Sequence, residues 1–248
     1  MTLTHSFHTD WADSSGTTSI PEPVHHGLTD FGREIVLEMN RLGMLVDISH
    51  VSDETFFDAV ETSRAPVIAS HSSTRGVADH PRNMTDDMLR ALAENGGVVM
   101  INFYPAYIDE AATAATSAYF AEHGPRLAEM RAAAGDDAKR RSALFRAHMA
   151  EFPVPQTSLD VLLDHFDRAI EVAGPDHVGL GADWDGGGGV QGLEDVSQLP
   201  QITEALLQAG YSEADIANIW SGNLLRLVSR AQERGRELQA QRQCAAAL

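Results

Sequence analysis

One unit recurs along this chain and restricts what it can become: an amphipathic helix, a short Gly or Pro turn, an apolar strand, then polar residues. The first copy follows "HHGLTD", where Thr29 or Asp30 can cap a helix that sets Phe31, Ile35, Met39 and Leu42 on one face. Gly43 can end that helix in the left-handed region, and "MLVDISH" follows as a strand finishing at His50. The second copy starts at Ser52 or Asp53 and leads through "ETFFDAVETS" to "APVIASHSS" and His71. The third starts at Thr85, with Asp86 and Asp87 complementing the helix dipole, and enters "VVMINFY" after Gly96 or Gly97. The fourth carries "SLDVLLDHFDRAIEVAG" into "HVGLGADWDGGGG", and a closing helix is predicted from Ser212.

Strands alternating with helices imply a parallel sheet, and strands that are apolar almost throughout imply burial on both faces. With "TLTH" counted, five strands are expected. A closed (β/α)8 barrel needs eight. Residues from about 105 to 157 read as a helical insertion, either a surface excursion or a lid, within one domain spanning 1–248. The hydrophobic fraction of 43% suits a globular core. A net charge of −18 argues against nucleic acid or an anionic membrane as partner. The single cysteine, Cys244, allows neither an internal disulfide nor a cysteine-based zinc site. No apolar run reaches the roughly 18 residues of a membrane span. No secretory signal is legible, so a cytoplasmic location is expected.

Polar residues gather where strands end: His5, then Asp47 and His50, then His71 with Ser72, then Asn102 and Tyr104, then Asp183 and Asp185. In parallel α/β barrels the loops converge at those ends, and the chemistry sits there. One such histidine would ordinarily be a buried side chain bonded to a carbonyl. Three histidines and an aspartate at four strand ends suit a divalent cation instead, and hence a metal-dependent hydrolase. Arg82 in "HPRNMTDD" is either a carboxylate-gripping fork or a surface residue beside Asp86 and Asp87. The glycines of "DWDGGGG" lack the Lys-Ser/Thr ending of a phosphate loop and are expected to turn the chain sharply beside the site. His8, His25, His26, His80, His123, His148 and His177 read as surface or capping residues, and His165 as structural.

"GLTDFGREIVLEMNRLGMLVDISHVS", "APVIASHSS", "PRNMTDDMLRALAENGGVVMINFY" and "VGLGADWDG", in that order, resemble the membrane (renal-type) dipeptidase family of zinc peptidases. "GLEDVSQLPQITEALLQAGYSEADIANIWSGNLLRLV" resembles its last segment. The resemblance implies a (β/α)8 TIM barrel of the metal-dependent-hydrolase type that cleaves dipeptides with two zinc ions, and a homodimer. It makes His50 and His71 ligands of one zinc, and His5 a substrate contact that stabilises the oxyanion. Arg82 becomes the grip on the substrate carboxylate. Asp183 takes the proton or holds the free amino group, with Asp185 as the fallback.

The family's His-x-Asp pair and bridging glutamate would precede "LTHS", where this sequence has only Met1, Thr2, Leu3 and Thr4. The barrel is therefore expected to be incomplete, lacking about its first three strands, with at most one partial zinc site. "HTD" at His8 to Asp10 follows His5 and is not a substitute. An unclosed parallel sheet has unpaired edges, so the chain alone is expected to fold poorly or to need a partner. Two readings follow: a zinc dipeptidase seen as a truncated product, or a non-catalytic remnant that binds metal or a partner. A lactonase or amidase is disfavoured because its substrates need no free carboxylate for Arg82 to hold.

Overall fold

The structure is a computed structural model describing residues 1–16 and 21–246. Its first helices begin and end where side-chain chemistry directs. Thr29 Oγ1 accepts the Gly32 N–H at 3.1 Å to start α1 (Asp30–Leu42), and Gly43 ends it at φ 69°. Ser52 caps α2 (Asp53–Thr62), which leads to β1 (Ile68–Ser72). Thr85 caps α3 (Asp86–Asn95), which Gly96 ends before β2 (Val98–Asn102). Then come α4 (Pro105–Ile108), α5 (Glu110–Ala134), α6 (Ala138–Glu151), α7 (Leu159–Ala173) and β3 (Val178–Gly181). The chain finishes with α8 (Pro200–Gln208), α9 (Glu213–Ala217) and α10 (Asn223–Ala246), the last two joined by a π turn over Asn218–Gly222.

β1, β2 and β3 form a parallel sheet in that order, with every β2 residue buried. This corrects the five-strand expectation, because the segments around Thr2 and Asp47 join the array only through isolated parallel bridges. Leu3 N–H donates to Asp47 O, and Ile48 N–H to Ile68 O, so both segments are aligned with the sheet. The ladder stops there for a local reason. The Asp47 carboxylate accepts the Ser49 and Ser70 N–H groups, each at 3.1 Å, and so takes donors the next rungs would use. His50 then turns the backbone to φ 72°. The described residues thus show an α/β fold with a three-stranded parallel sheet and two aligned extended segments, and no closed barrel.

Helices cover the sheet through a core that includes Phe56, Leu89, Leu92, Leu162 and Phe166. The buried face of α1 is Gly32, Val36, Met39 and Asn40, whereas Phe31 and Leu42 of the expected stripe are exposed. The face is rotated because α1 packs backbone-close at both ends. A Cβ on Gly32 would sit 2.3 Å from Trp11 O, and one on Gly235 of α10 would sit 2.6 Å from Gly43 N. Residues 110–151 form two long, mostly exposed helices, with α5 starting well before the predicted "YFAEHGPRLAEMRAAAG" and running through Pro125. His148, expected at the surface, is buried there against His123 and Phe152. His165 is structural, as its helical position implied: Nε2 donates to Ile108 O at 2.8 Å and Nδ1 accepts the Thr74 N–H at 3.2 Å. Among the described residues no helix is long and apolar enough to cross a membrane.

Candidate active site

The aligned segments and the sheet bring three imidazoles together at their C-terminal ends. His50 Nε2 and His71 Nε2 face each other at 2.7 Å. The exposed His5 ring lies 4.2 Å from the His50 ring, centroid to centroid. The left-handed turn at His50 is held through its carbonyl, which accepts the Thr4 hydroxyl and Ser15 N–H, each at 2.8 Å.

A hydrogen-bond chain sets the protons. Ser70 Oγ donates to Asp47 Oδ2 at 2.7 Å and therefore accepts the Nδ1–H of His71, also at 2.7 Å. That leaves His71 Nε2 as a bare lone pair, into which His50 Nε2–H points. The remaining nitrogen, His50 Nδ1, is buried with no hydrogen-bond partner among the described residues. Burial first, then the Arg82 cation, lower the pKa of both rings, that of His50 to about 2. Both imidazoles are neutral, the form in which imidazole ligates metal.

Arg82 is buried at 3% exposure, which rules out the surface reading. Asp86 is paired instead with Arg168 and Arg90, and Asp87 with Arg90. Arg82 Nη2 donates to His71 O at 3.0 Å, its guanidinium lies over Tyr107 at 5.4 Å, and its Nε has no partner among the described residues. Among the described residues no carboxylate is within ion-pair distance of it. His80, expected to be a surface or capping residue, is buried next to it and accepts the Arg82 N–H at 3.1 Å.

Asp183 stands at φ 57°, and Asn102 Nδ2 donates to its Oδ2 at 3.3 Å. The glycines after it do turn the chain sharply. Gly188 N–H returns to Asp183 O at 2.7 Å, and a Cβ on Gly188 would come within 1.9 Å of Ala182 O. Asp185 is exposed on the following turn. Sequence reasoning missed Ser70 and Tyr107. The only local signal for Ser70 is its hydroxyl beside His71, and nothing in the sequence pairs Tyr107 with Arg82. Among the described residues no three His, Cys, Asp or Glu side chains converge as a metal cluster. Two imidazoles alone make half of one coordination sphere.

The sequence profile of membrane dipeptidase, peptidase family M19, matches residues 1–242. The chain belongs to the membrane dipeptidase family. His5, His50, His71, Arg82, Asp183 and Asp185 all lie inside the matched span. A dipeptidase of Aspergillus oryzae, aclJ, is 36% identical over 238 residues, covering 95% of this chain and 46% of its own. Dipeptidase 3 of Macaca fascicularis is 34% identical over 248 residues, covering 97% of this chain and 41% of its own. The chain thus spans less than half the length of these curated members. A solved structure of the probable dipeptidase PvdM from Pseudomonas aeruginosa superposes with a TM-score of 0.75 at 30% identity, over 94% of this chain and 62% of that one. A metallo peptidase from Rhodobacter sphaeroides, liganded with a phosphinate mimic of the dipeptide L-Ala-D-Ala, gives 0.68 at 28% identity, over 93% and 55%.

Proposed function

We propose that this membrane dipeptidase family chain binds dipeptides and hydrolyses them with a divalent metal, zinc by family resemblance, as cofactor. The observation that carries the reading is the pair of neutral imidazoles converging at 2.7 Å beside a buried guanidinium that has no carboxylate partner among the described residues. The dipeptide mimic bound by the Rhodobacter relative supports the substrate class.

His71 already offers a bare Nε2. His50 can offer its own by carrying its proton on Nδ1, the atom left without a partner. The two residues fit part of one site, and an ion held there would contribute Lewis acidity toward the peptide carbonyl and water. Arg82 receives the C-terminal carboxylate, which supplies the counter-ion the buried guanidinium lacks. His5, exposed beside His50, reaches toward the scissile carbonyl as an oxyanion donor. Asp183, turned into the site, takes the proton or holds the free amino group, and Asp185 is its fallback. In this reading residues 105–157 are an insertion within one domain, the assembly is a homodimer and the compartment is cytoplasmic.

One observation favours a second reading, a non-catalytic remnant that binds metal or a partner: no third ligand joins His50 and His71 among the described residues. The two separate in one assay. With zinc supplied, the purified chain should release free amino acids from Ala-Gly. Arg82→Lys should lower kcat/KM by about tenfold or more, chiefly through KM, because an ammonium cannot reproduce the planar fork. Amino-acid release no greater than from a His71→Ala variant would establish the remnant instead.

A further inference from the structure

Helices α5 and α6 hold between them a groove of about 870 Å³ that none of the roles above uses. The two helices run antiparallel: Tyr119 Oη donates to Phe152 O at 2.9 Å, and the His123 and His148 rings lie 5.1 Å apart. Continued toward the turn, that register sets Leu127 opposite Phe145 and Arg131 opposite Arg141, and all four line the groove. Phe120 lines its far end. Phe120 and Phe145 are 41% and 46% exposed, so this face leaves large apolar side chains to water.

The lining is polarised along its length. Its charged side chains, Arg131 and Arg141, stand level with each other three residues from the turn, at the end of α5 and the start of α6. From Arg131 back to Phe120 the groove runs about 16 Å, at 1.5 Å per residue. Neither arginine has an ion-pair partner among the described residues. The acids close to them in sequence are engaged elsewhere: Glu129 pairs with Arg126 at 3.2 Å, and Asp137 accepts the Arg140 N–H at 2.9 Å. Between residues 126 and 146 six cations stand against three acids, in a chain of net charge −18. Screening over about 8 Å leaves that local excess of positive charge in control of the groove.

We propose that the groove binds a monomeric single-chain amphiphile with a carboxylate head, of the fatty-acid class. The head takes the paired guanidiniums, and the tail runs past Leu127 and Phe145 toward Phe120. Charge disfavours the other occupants. A second copy laid face to face would set Arg131 and Arg141 against their own counterparts, and an anionic bilayer would meet the whole acidic chain. A partner helix with acidic flanks would want cations along both edges, whereas here they gather at one end.

Isothermal titration of the full chain with dodecanoate, hexanoate and dodecyltrimethylammonium, all below micelle-forming concentrations, tests this. Dodecanoate should bind about tenfold or more tighter than the cationic amphiphile. Hexanoate should bind about a hundredfold or more weaker than dodecanoate, since each buried methylene contributes. Arg131→Glu with Arg141→Glu should reverse the preference between the two long-chain amphiphiles. Phe145→Ala should weaken both by about tenfold. The neutral pair Arg131→Gln with Arg141→Gln carries the test if charge reversal disturbs the hairpin, and should cancel the preference. Equal binding of the two long-chain amphiphiles, or dodecanoate binding unmoved by both arginine pairs, overturns the assignment. So does a dimer that charge reversal dissociates without any dodecanoate binding, which would give the groove to a second copy. Sedimentation with phosphatidylglycerol vesicles in the absence of monomer binding overturns it in favour of a membrane surface.

Discussion

Imidazole can act as a ligand through a given nitrogen only in one tautomer, and at His71 two other side chains impose it. Ser70 Oγ spends its proton on Asp47, so His71 must donate from Nδ1 and present Nε2 bare. Ser70→Ala should therefore weaken zinc binding by about 10–100-fold, the usual effect of losing the group that orients a ligand. Competition with a chromophoric chelator would read this, and unchanged affinity would show that the relay orients nothing. At this scale the sequence is legible where residue type and strand-end position coincide: His5, His50 and His71 do come together. The Ser70 relay is not legible, because a serine beside a histidine has no periodicity to mark it. For Arg82 the sequence leaves grip and surface open, and its burial excludes the surface place. A buried cation needs a reason that an exposed one does not.

Helix boundaries were legible because capping is local: Thr29, Ser52 and Thr85 each sit three residues before the N–H they accept. The first two strands were misread because their rungs are lost to a side chain, Asp47, and to a left-handed histidine, neither of which hydropathy registers. Helix α7 is tied to the loop after β1 by His165, whose Nδ1 must stay unprotonated to accept the Thr74 N–H. Burial lowers the pKa of His165 below its ordinary 6.5. As pH falls through 6.5 the unfolded chain takes up a proton that the folded chain refuses. This contribution is therefore neutral above about pH 7. Below it, stability falls by about 1.4 kcal/mol per pH unit until the folded pKa is reached. Urea melts at pH 7.5 and 5.5 should show that loss, and His165→Gln should reduce the pH slope by about one proton. An identical slope in the variant would place the loss elsewhere.

Across the whole molecule, order should decline from the middle of the sheet outward. β2 is paired on both sides and wholly buried, whereas the segments around Thr2 and Asp47 are held by single bridges. Hydrogen exchange should find β2 amides protected up to the global unfolding free energy, and the Leu3 and Ile48 amides opening sub-globally. Uniform protection would contradict this gradation. Such an imbalance gives weight to the contact between Gly235 of α10 and Gly43, where even a methyl group would strike backbone. Gly43 opens the short run that ends in Asp47 and His50, so the rear of the molecule sets the spacing of its front. Tolerance to change will therefore not track distance from the chemistry. A smooth helical position nearly two hundred residues beyond Gly43 is as unforgiving as the histidines it helps to aim.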